Sequence, residues 1–522
     1  MRRTQDRINS EKNSNQLKRQ VFVLIISSLT IFMTFRLGSE LGMQETIHAR
    51  HTFYSIPAAI GVLHHEGAGY TVYSELFELM TSSQSDLNSL IDQSIHIKNL
   101  DKSQILFIPS DDKGTIDFVV GAFSIFGPKI ESLYFGYFLI LVISALIYFF
   151  QFKNSNSQLV LLPIFLLSLY SMTRLYPLTK ELFSFHNPRV FGSLAIIPVM
   201  HLCFLMIKNQ MPKKSVFIGV LVQVFIIIEV IHVRASEIWV FFTVFLVAIF
   251  LIVKKVNKIY ALWPLILLSI GFLLLNFYQH KTYNPEYFKT KGQYHVVWHN
   301  IGIGLSLHPH LADEYNLTVD DLPMVNLVKK NVSILGGAKL LEDIFGKSTN
   351  VHGVAEDLQL YEKNARNIIF EIIKKHPKEV LELQVWYKPK VLIKNVLWSA
   401  GIYPSNYEEL YVSGQIGSIS SEEDRTDKGI FLKPVNWYVF ICLALLAIIF
   451  SNSSTKFVVF LIVFQLAASL IPPMVTYPLI HTLAISLIFL TMLIQLIVFI
   501  IMQKFTILMN SKIGKAANKP AI

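Results

Sequence analysis

Ten apolar segments run through this chain of 522 residues, and they constrain its fold more than any other feature. A helix needs about 20 mostly apolar residues to cross a bilayer, and roughly 17 at the short end. Each segment reaches or approaches that length with a few flanking residues, and lipid tolerates only helices and closed barrels. The predicted spans are residues 21–35, 133–150, 159–172, 190–207, 216–231, 238–253, 260–277, 437–450, 457–471 and 479–502.

The composition of the chain supports a membrane protein. Hydrophobic residues make up 52% of the chain and charged residues only 16%, against about 25% charged residues in a typical soluble protein. These values exclude a disordered chain and an ordinary cytosolic enzyme. A net charge of +10 would also suit a nucleic-acid-binding protein. The positions of the cations favour another explanation, so we predict a lipid bilayer and no nucleic acid as partner.

Lysine and arginine residues in the tails and short loops predict the orientation of the chain. With ten spans, one large group of them falls on a single side, which the positive-inside rule assigns to the cytoplasm. Both termini are then cytoplasmic, and the first span is expected to be an uncleaved anchor because no small-residue cleavage site follows it. This group comprises Arg2, Arg3, Arg7, Lys12, Lys18, Arg19, Lys153, Lys208, Lys213, Lys214, Lys254, Lys255, Lys258, Lys456, Lys504, Lys512, Lys515 and Lys519.

We therefore predict an all-α polytopic membrane protein of about ten transmembrane helices, N-in and C-in, with two large external loops. We expect it in the cell inner (plasma) membrane, with both loops on the periplasmic or extracellular side. The predicted organisation is a cytoplasmic tail (1–20), the first span (21–35), a first external loop with amphipathic helices (36–132), spans two to seven (133–277), a second external loop (278–435), spans eight to ten (436–503) and a cytoplasmic tail (504–522).

The second large loop is expected to be mostly helical. Residues 365–376 and 378–398 carry apolar side chains at helical spacing. The pair His376-Pro377 separates these segments, and a proline inside a helical pattern ends or kinks the helix.

Carboxylates of the first large loop are candidates for a catalytic base. Glu40 lies just past the first span, at the predicted membrane face, and Asp111 and Asp112 could return to the same place by folding. A carboxylate in that position can deprotonate an acceptor hydroxyl. Taken singly, each of the three is also consistent with a solvated carboxylate without a catalytic role.

Three arginines lie on the predicted external side, where the positive-inside rule does not favour them, so a functional role is a candidate explanation. Arg174 and Arg189 flank the turn between spans three and four, and Arg234 lies in the tight turn between spans five and six. A planar guanidinium binds phosphate through two parallel hydrogen bonds, so these residues are candidates for a lipid-phosphate site. The alternatives are a solvated loop for the first two, and for Arg234 a structural pair with Glu229 or Glu237.

The second large loop contributes two further candidates for substrate binding. Trp298 offers a flat apolar face to a sugar ring, or an anchor at the membrane interface, and His299 follows it. His308, His310, Asp313 and Glu314 could bind a divalent cation, but no spacing typical of a metal site fixes one. We therefore predict no metal ligands and no definite cofactor, and leave a divalent cation open. The sequence has no P-loop and no dinucleotide-binding fingerprint.

The positions of the two large loops, after spans one and seven, resemble the plan of the GT-C superfamily of lipid-dependent glycosyltransferases. Three stretches are also similar to bacterial membrane proteins of surface-polysaccharide gene clusters: Asp111-Asp112-Lys113-Gly114, Trp298-His299-Asn300-Ile301-Gly302-Ile303-Gly304 and His376-Pro377. The resemblance implies a polyprenyl-phosphate sugar donor, and a glycan, lipid or protein acceptor.

The same resemblance implies roles for particular residues. A catalytic carboxylate near the end of the first span would be Glu40, with Asp111 and Asp112 as rivals. A second acidic position, in the turn after span three, would be Glu181. Contacts to the lipid phosphate would come from Arg174, Arg189 and Arg234. The family usually has an aspartate soon after the first span, whereas the first one here is Asp86.

Three functions remain as hypotheses from the sequence. The first is an inverting glycosyltransferase that uses a polyprenyl-phosphate donor at the outer face of the membrane. The second is a polysaccharide polymerase or ligase of the O-antigen type, which would depend on Arg366 or His299 instead of a carboxylate base. The third is a lipid or solute transporter without enzymatic activity, although paired halves and small external loops, common in transporters, are not evident in this sequence.

Overall fold

The computed structural model describes residues 2–42, 52–66, 71–82, 86–97, 100–101, 105–107, 114–175, 188–208, 214–255, 258–285, 288, 296–345, 357–392, 453–478 and 483–517. We number the helices and strands in chain order. The first part of the chain contains α1 (Arg2–Gly42), α2 (Thr52–His64), β1 (Thr71–Tyr73), α3 (Ser74–Ser82), α4 (Leu87–His96), β2 (Ile105–Phe107), α5 (Gly114–Phe126), α6 (Ile130–Phe152), α7 (Asn156–Leu159), α8 (Leu161–Leu175) and α9 (Pro188–Phe191).

The remaining elements follow in the same order. They are α10 (Ile196–Ile207), α11 (Lys214–Val233), α12 (Trp239–Val253), α13 (Lys258–Thr282), α14 (Val297–Leu305), α15 (Pro309–Tyr315), α16 (Asp321–Phe345), α17 (Leu358–Lys375), α18 (Pro377–Glu382), α19 (Ser453–Val475) and α20 (Ala484–Ala517). Short 3₁₀ turns precede α10 (Gly192–Ala195) and α12 (Ala235–Ile238), and a π turn (Leu383–Tyr387) follows α18.

Seven helical segments in the described part of the chain are long and apolar enough to cross a membrane. They are Gln16–Leu37, Ile130–Phe152, Val216–Val233, Ala235–Val253, Leu262–Thr282, Lys456–Val475 and Ala484–Phe505. They coincide with predicted spans one, two, five, six, seven, nine and ten. The chain is therefore a helical, multi-pass membrane protein, as its composition indicated.

Two more predicted spans, the third and fourth, correspond to shorter apolar helices. These are Leu161–Met172 and Gly192–Ile207, the latter containing the 3₁₀ turn before α10. The eighth predicted span, residues 437–450, lies outside the described residues. A total of ten spans, and the orientation that depends on it, stay predictions.

Buried polar side chains pair across the membrane helices, as expected where lipid offers no partners. Between α6 and α11, Ser144 Oγ donates to Gln223 Oε1 at 2.9 Å, and Gln223 Nε2 donates to the Ser144 carbonyl at 3.0 Å. Ser168 on α8 lies 3.3 Å from Gln495 on α20. These hydrogen bonds specify which faces of the helices pack against each other. Apolar contacts alone are less specific.

The first large loop contains short helices and a two-stranded sheet, whose strands are separated along the chain by α3 and α4. Strands β1 and β2 pair antiparallel, with Val72 opposite Leu106. Asn88 on α4 holds the start of α6, because its Oδ1 accepts from the Ile130 backbone N–H at 2.9 Å. The final helix of this loop, α5, packs against α2, α6 and α11, so it lies beside the membrane helices.

The second large loop forms a separate helical core from α14 to α18. The predicted break at His376-Pro377 is confirmed, since α17 ends at Lys375 and α18 begins at Pro377. Lys388 ties this core to the membrane helices. Its Nζ is buried and donates to the carbonyls of Met474 at 2.8 Å and Val475 at 2.9 Å, at the end of α19.

Candidate functional site

Helices α5, α6, α11 and α13 enclose a cavity of about 790 Å³. Most of its lining is apolar, and glycines occupy three positions on its walls. At its rim, Ile125, Phe225 and Leu274 are each more than 60% exposed, so the cavity opens onto the apolar surface of the helices. Lining residues include Phe118, Gly121, Ala122, Gly136, Ile140, Val224, Ile228 and Gly271. We call this cavity the groove.

Ionisable side chains gather at one end of the groove. Asp117, Glu229, His232 and Tyr278 all belong to its lining. The Nε2 atom of His232 lies 2.7 Å from Asp117 Oδ2. Two tyrosine hydroxyls donate to the same carboxylate, Tyr283 to Oδ2 at 3.0 Å and Tyr278 to Oδ1 at 3.3 Å. We call Asp117, His232, Tyr278 and Tyr283 the Asp117 cluster.

The second ring nitrogen of His232 indicates how the imidazole is oriented. The amide Nε2 of Gln279, which can only donate, lies 3.2 Å from His232 Nδ1. With Nδ1 as the acceptor, Nε2 carries a hydrogen, and this atom faces Asp117 and the Tyr283 hydroxyl, 3.1 Å away. His232 is held between two partners on different helices. Asp117 accordingly receives three hydrogen bonds while its side chain stays 20% exposed.

A glycine allows the two main partners to meet. A Cβ atom built at Gly114, the first residue of α5, would lie 2.5 Å from the Val233 backbone nitrogen and 2.6 Å from the His232 carbonyl carbon. Only glycine permits the start of α5 to touch the end of α11 at this distance. Asp117 follows one turn later, and the contact places it against His232.

Arg234, one of the predicted phosphate contacts, follows α11 directly. Its Nε lies 3.9 Å from Glu237 Oε1, and both side chains are largely buried. Glu237 also accepts a hydrogen bond from the indole nitrogen of Trp239. This contact supports the structural Arg–Glu pair that the sequence left open. A phosphate contact by Arg234 stays a prediction.

Trp298 and His299 lie in the core of the second large loop, not in the groove. Glu362 accepts from the backbone N–H groups of both residues, at 2.7 and 2.9 Å, and so provides hydrogen-bond acceptors for N–H groups at the start of α14. Burial raises the pKa of the Glu362 carboxyl. The Trp298 ring packs against Phe370 with centroids 5.2 Å apart. Both ring nitrogens of His299 have partners: Tyr361 Oη lies 2.6 Å from Nδ1 and Asp321 Oδ1 3.1 Å from Nε2.

Six other predicted site residues cannot be compared with the groove. Glu40, Arg174 and Arg189 lie in α1, α8 and α9, but their side chains are outside the described part of the structure. Asp111, Asp112 and Glu181 lie wholly outside the described residues. Their proposed roles stay predictions.

Sequence reasoning did not single out Asp117 or Tyr283. The available signal was a lone carboxylate in the apolar stretch that leads into the second span. Ionisable residues in such surroundings are expensive and usually functional. Glu229, by contrast, was considered from the sequence, but only as a possible partner of Arg234, and His232 was not singled out.

The second large loop is expected to lose stability in mild acid because of His308. Burial lowers the pKa of this histidine below its usual 6.5, although the Glu382 carboxylate 3.5 Å away opposes the shift. As the pH falls through about 6.5, the unfolded chain therefore binds a proton that the folded chain resists, and the free energy of unfolding decreases. We expect the unfolding temperature to fall less between pH 7.5 and 5.5 for His308→Gln than for the unmodified protein.

The control for this experiment is His96→Gln, because His96 is exposed at the end of α4. Its unfolding temperature should follow that of the unmodified protein at both pH values. An identical acid shift in all three proteins would remove His308 as the cause.

Comparisons with known proteins do not add a family to this description. A scan against protein-family models, a search of curated proteins and a search of solved structures each found no match for the chain. The groove and the Asp117 cluster are therefore the features from which a function can be inferred.

Proposed function

We propose that this protein is an integral membrane glycosyltransferase that moves a sugar from a polyprenyl-phosphate donor to a hydroxyl group of a glycan, lipid or protein. The observation that carries the proposal is the combination of an apolar groove, open onto the exposed apolar surface of the helices, with a carboxylate–histidine pair at one end. A donor with a hydrocarbon chain and a polar head matches both parts. The apolar walls would bury the chain, and the head would lie at the Asp117 cluster.

In the proposed reaction, Asp117 is the general base. Its carboxylate would take the proton from the acceptor hydroxyl while that oxygen attacks the anomeric carbon of the sugar. The bond between this carbon and the phosphate oxygen would break, and the electron pair would leave with the phosphate. The configuration at the sugar would be inverted because the displacement has one step. His232, held by Gln279, would orient the carboxylate.

The departing phosphate needs positive charge near it. Arg234 lies two residues beyond His232, and Arg174 and Arg189 are further candidates on the same predicted side of the membrane. Under the proposed orientation, with cytoplasmic termini, α5 and the end of α11 lie at the outer face. The reaction would then take place on the periplasmic or extracellular side of the plasma membrane.

Filling the groove tests this proposal directly. Among the described residues, a Cβ atom at Gly121 would meet nothing within 4 Å, so Gly121→Phe should fold and place a ring in the groove. If the ring displaces two methylenes of a bound chain, binding weakens by about 1.6 kcal/mol, or roughly tenfold. The measurement is photolabelling of the purified protein by a polyprenyl phosphate with a photoreactive group in its chain.

Val253→Phe is the matched control, since Val253 is 71% exposed at the end of α12 and is not part of the groove lining. It adds the same ring to the apolar surface and should leave labelling unchanged. Equal labelling of the Gly121→Phe variant and the unmodified protein would show that the chain binds elsewhere.

One observation favours a second function, proton-coupled lipid transport. Glu229, His232 and Asp117 line the same groove, and chains of such residues form proton relays in transporters. The two functions differ in their products. Movement of a labelled polyprenyl phosphate across vesicles, driven by a pH gradient and without any glycosyl product, would favour the transporter.

A further inference from the structure

Two histidines and a glutamate from distant parts of the second large loop come together beside α15. The candidate ligand atoms of His310, His376 and Glu379 all lie within 4.8 Å of one another. Donor atoms around a tetrahedral metal ion are roughly 3.3–3.6 Å apart, as bond lengths of about 2.0–2.2 Å require. Small side-chain rotations would therefore close this set around one ion.

A second carboxylate lies beside the two histidines. Glu314 Oε2 lies 3.1 Å from His376 Nε2 and 3.9 Å from His310 Nε2. Its other oxygen, Oε1, accepts from Lys375 Nζ at 2.6 Å. This hydrogen bond orients the carboxylate, as outer partners orient the carboxylate ligands of metal sites.

The four side chains are carried by two separate parts of the backbone. His310 and Glu314 lie one turn apart on α15. His376 is the residue between α17 and α18, and Glu379 is in the first turn of α18. His376 is buried whereas His310 is exposed, so an ion could reach the cluster from solvent.

We propose that His310, His376, Glu379 and Glu314 form a binding site for a divalent transition metal such as Zn²⁺. Two imidazoles select a borderline metal over Mg²⁺ and Ca²⁺, which prefer ligand sets made only of oxygen. The ion would link α15 to the junction of α17 and α18, and its role would be structural. It would replace the contact between His376 Nε2 and the Tyr315 hydroxyl, now 3.2 Å.

The site is independent of the groove. Its residues belong to the second large loop, and the groove is lined by α5, α6, α11 and α13. If the protein does not bind Zn²⁺, the proposed glycosyl transfer is unaffected. If no glycosyl transfer is found, the proposed metal site is likewise unaffected.

The test is metal binding by the full-length protein, purified in detergent and stripped with a chelator. Zn²⁺ is titrated in competition with a fluorescent indicator, and Co²⁺ is added separately to record its visible absorption spectrum. We expect one equivalent of Zn²⁺ to bind and to raise the unfolding temperature. His310→Ala and Glu379→Gln should each weaken binding by at least about tenfold, since even changes to outer partners of metal ligands have effects of that size.

The matched control is His96→Ala in the first large loop. His96 and Asp92 form a pair four residues apart on a helix, as His310 and Glu314 do. The side chains of His96 and Asp92 are each more than 70% exposed. This variant should bind Zn²⁺ as the unmodified protein does. The proposal is overturned if no stoichiometric binding occurs, or if His310→Ala and Glu379→Gln bind Zn²⁺ with unchanged affinity.

Discussion

Asp117→Asn is expected to lower glycosyl transfer by at least about 100-fold, the lower limit for loss of a general base. Asparagine keeps the size of the side chain and can still accept hydrogen bonds at one of the two oxygen positions, but it cannot take a proton from the acceptor. The donor chain does not depend on the carboxylate, so photolabelling in the groove should remain. The measurement is transfer of labelled sugar from membrane lipid to acceptor, with both proteins at equal expression.

Asp92→Asn is the matched control, because Asp92 is also an aspartate of the first large loop beside a histidine, His96, at 3.6 Å. It lies on α4, away from the groove, and should retain full activity. Glu40→Gln and the double variant Asp111→Asn with Asp112→Asn belong in the same experiment. If transfer survives loss of Asp117 but not of Glu40 or the Asp111–Asp112 pair, the base is one of the latter.

Gly304→Ala is expected to destabilise the protein by about 3 kcal/mol, the upper end of the usual cost of overpacking. A Cβ atom at Gly304 would lie 2.0 Å from the Thr476 carbonyl oxygen. That oxygen belongs to the backbone just past α19, so relief requires α14 or the end of α19 to move. The same movement would disturb the hydrogen bonds from Lys388 to the carbonyls of Met474 and Val475. A lower unfolding temperature in detergent measures the effect.

The control is the same substitution two residues earlier on the same helix. A Cβ atom at Gly302 would lie 2.4 Å from Met324 Sδ, which is part of a flexible side chain. Methionine can rotate away, so Gly302→Ala should cost much less than Gly304→Ala. An equal fall in unfolding temperature for the two variants would mean that α14 tolerates no added methyl group at either position. The contact with Thr476 would then not explain the effect at Gly304.

The membrane helices could be predicted from the sequence because hydropathy is a local property. The run 457–471, for example, lies inside the helix Lys456–Val475, and the run 216–231 lies inside Val216–Val233. Local chemistry also predicted the helix break at His376-Pro377. Helix ends were less certain, since flanking polar residues such as Lys456 continue the helix beyond the apolar run.

The Asp117 cluster could not be predicted because its contacts join residues far apart in the chain. Asp117 and His232 are separated by 115 positions, and Asp117 and Tyr283 by 166. No periodicity within α5, α11 or α13 indicates that these three side chains meet. For the same reason, the neighbours of Trp298 and His299, which are Phe370, Tyr361 and Asp321 in later helices, could not be predicted, and a ligand contact by either residue stays a prediction.

The lateral opening of the groove affects how any ligand would be supplied. Phe225 and Leu274 at its rim are exposed on apolar helices. Under the proposed function, a molecule that enters past them would arrive by diffusion within the bilayer and not from water. Its effective concentration is then its mole fraction among the lipids. Adding detergent or inert lipid at constant total substrate would lower the rate of the proposed reaction by surface dilution alone. Rates and affinities should therefore be expressed against the mole fraction of substrate in the membrane.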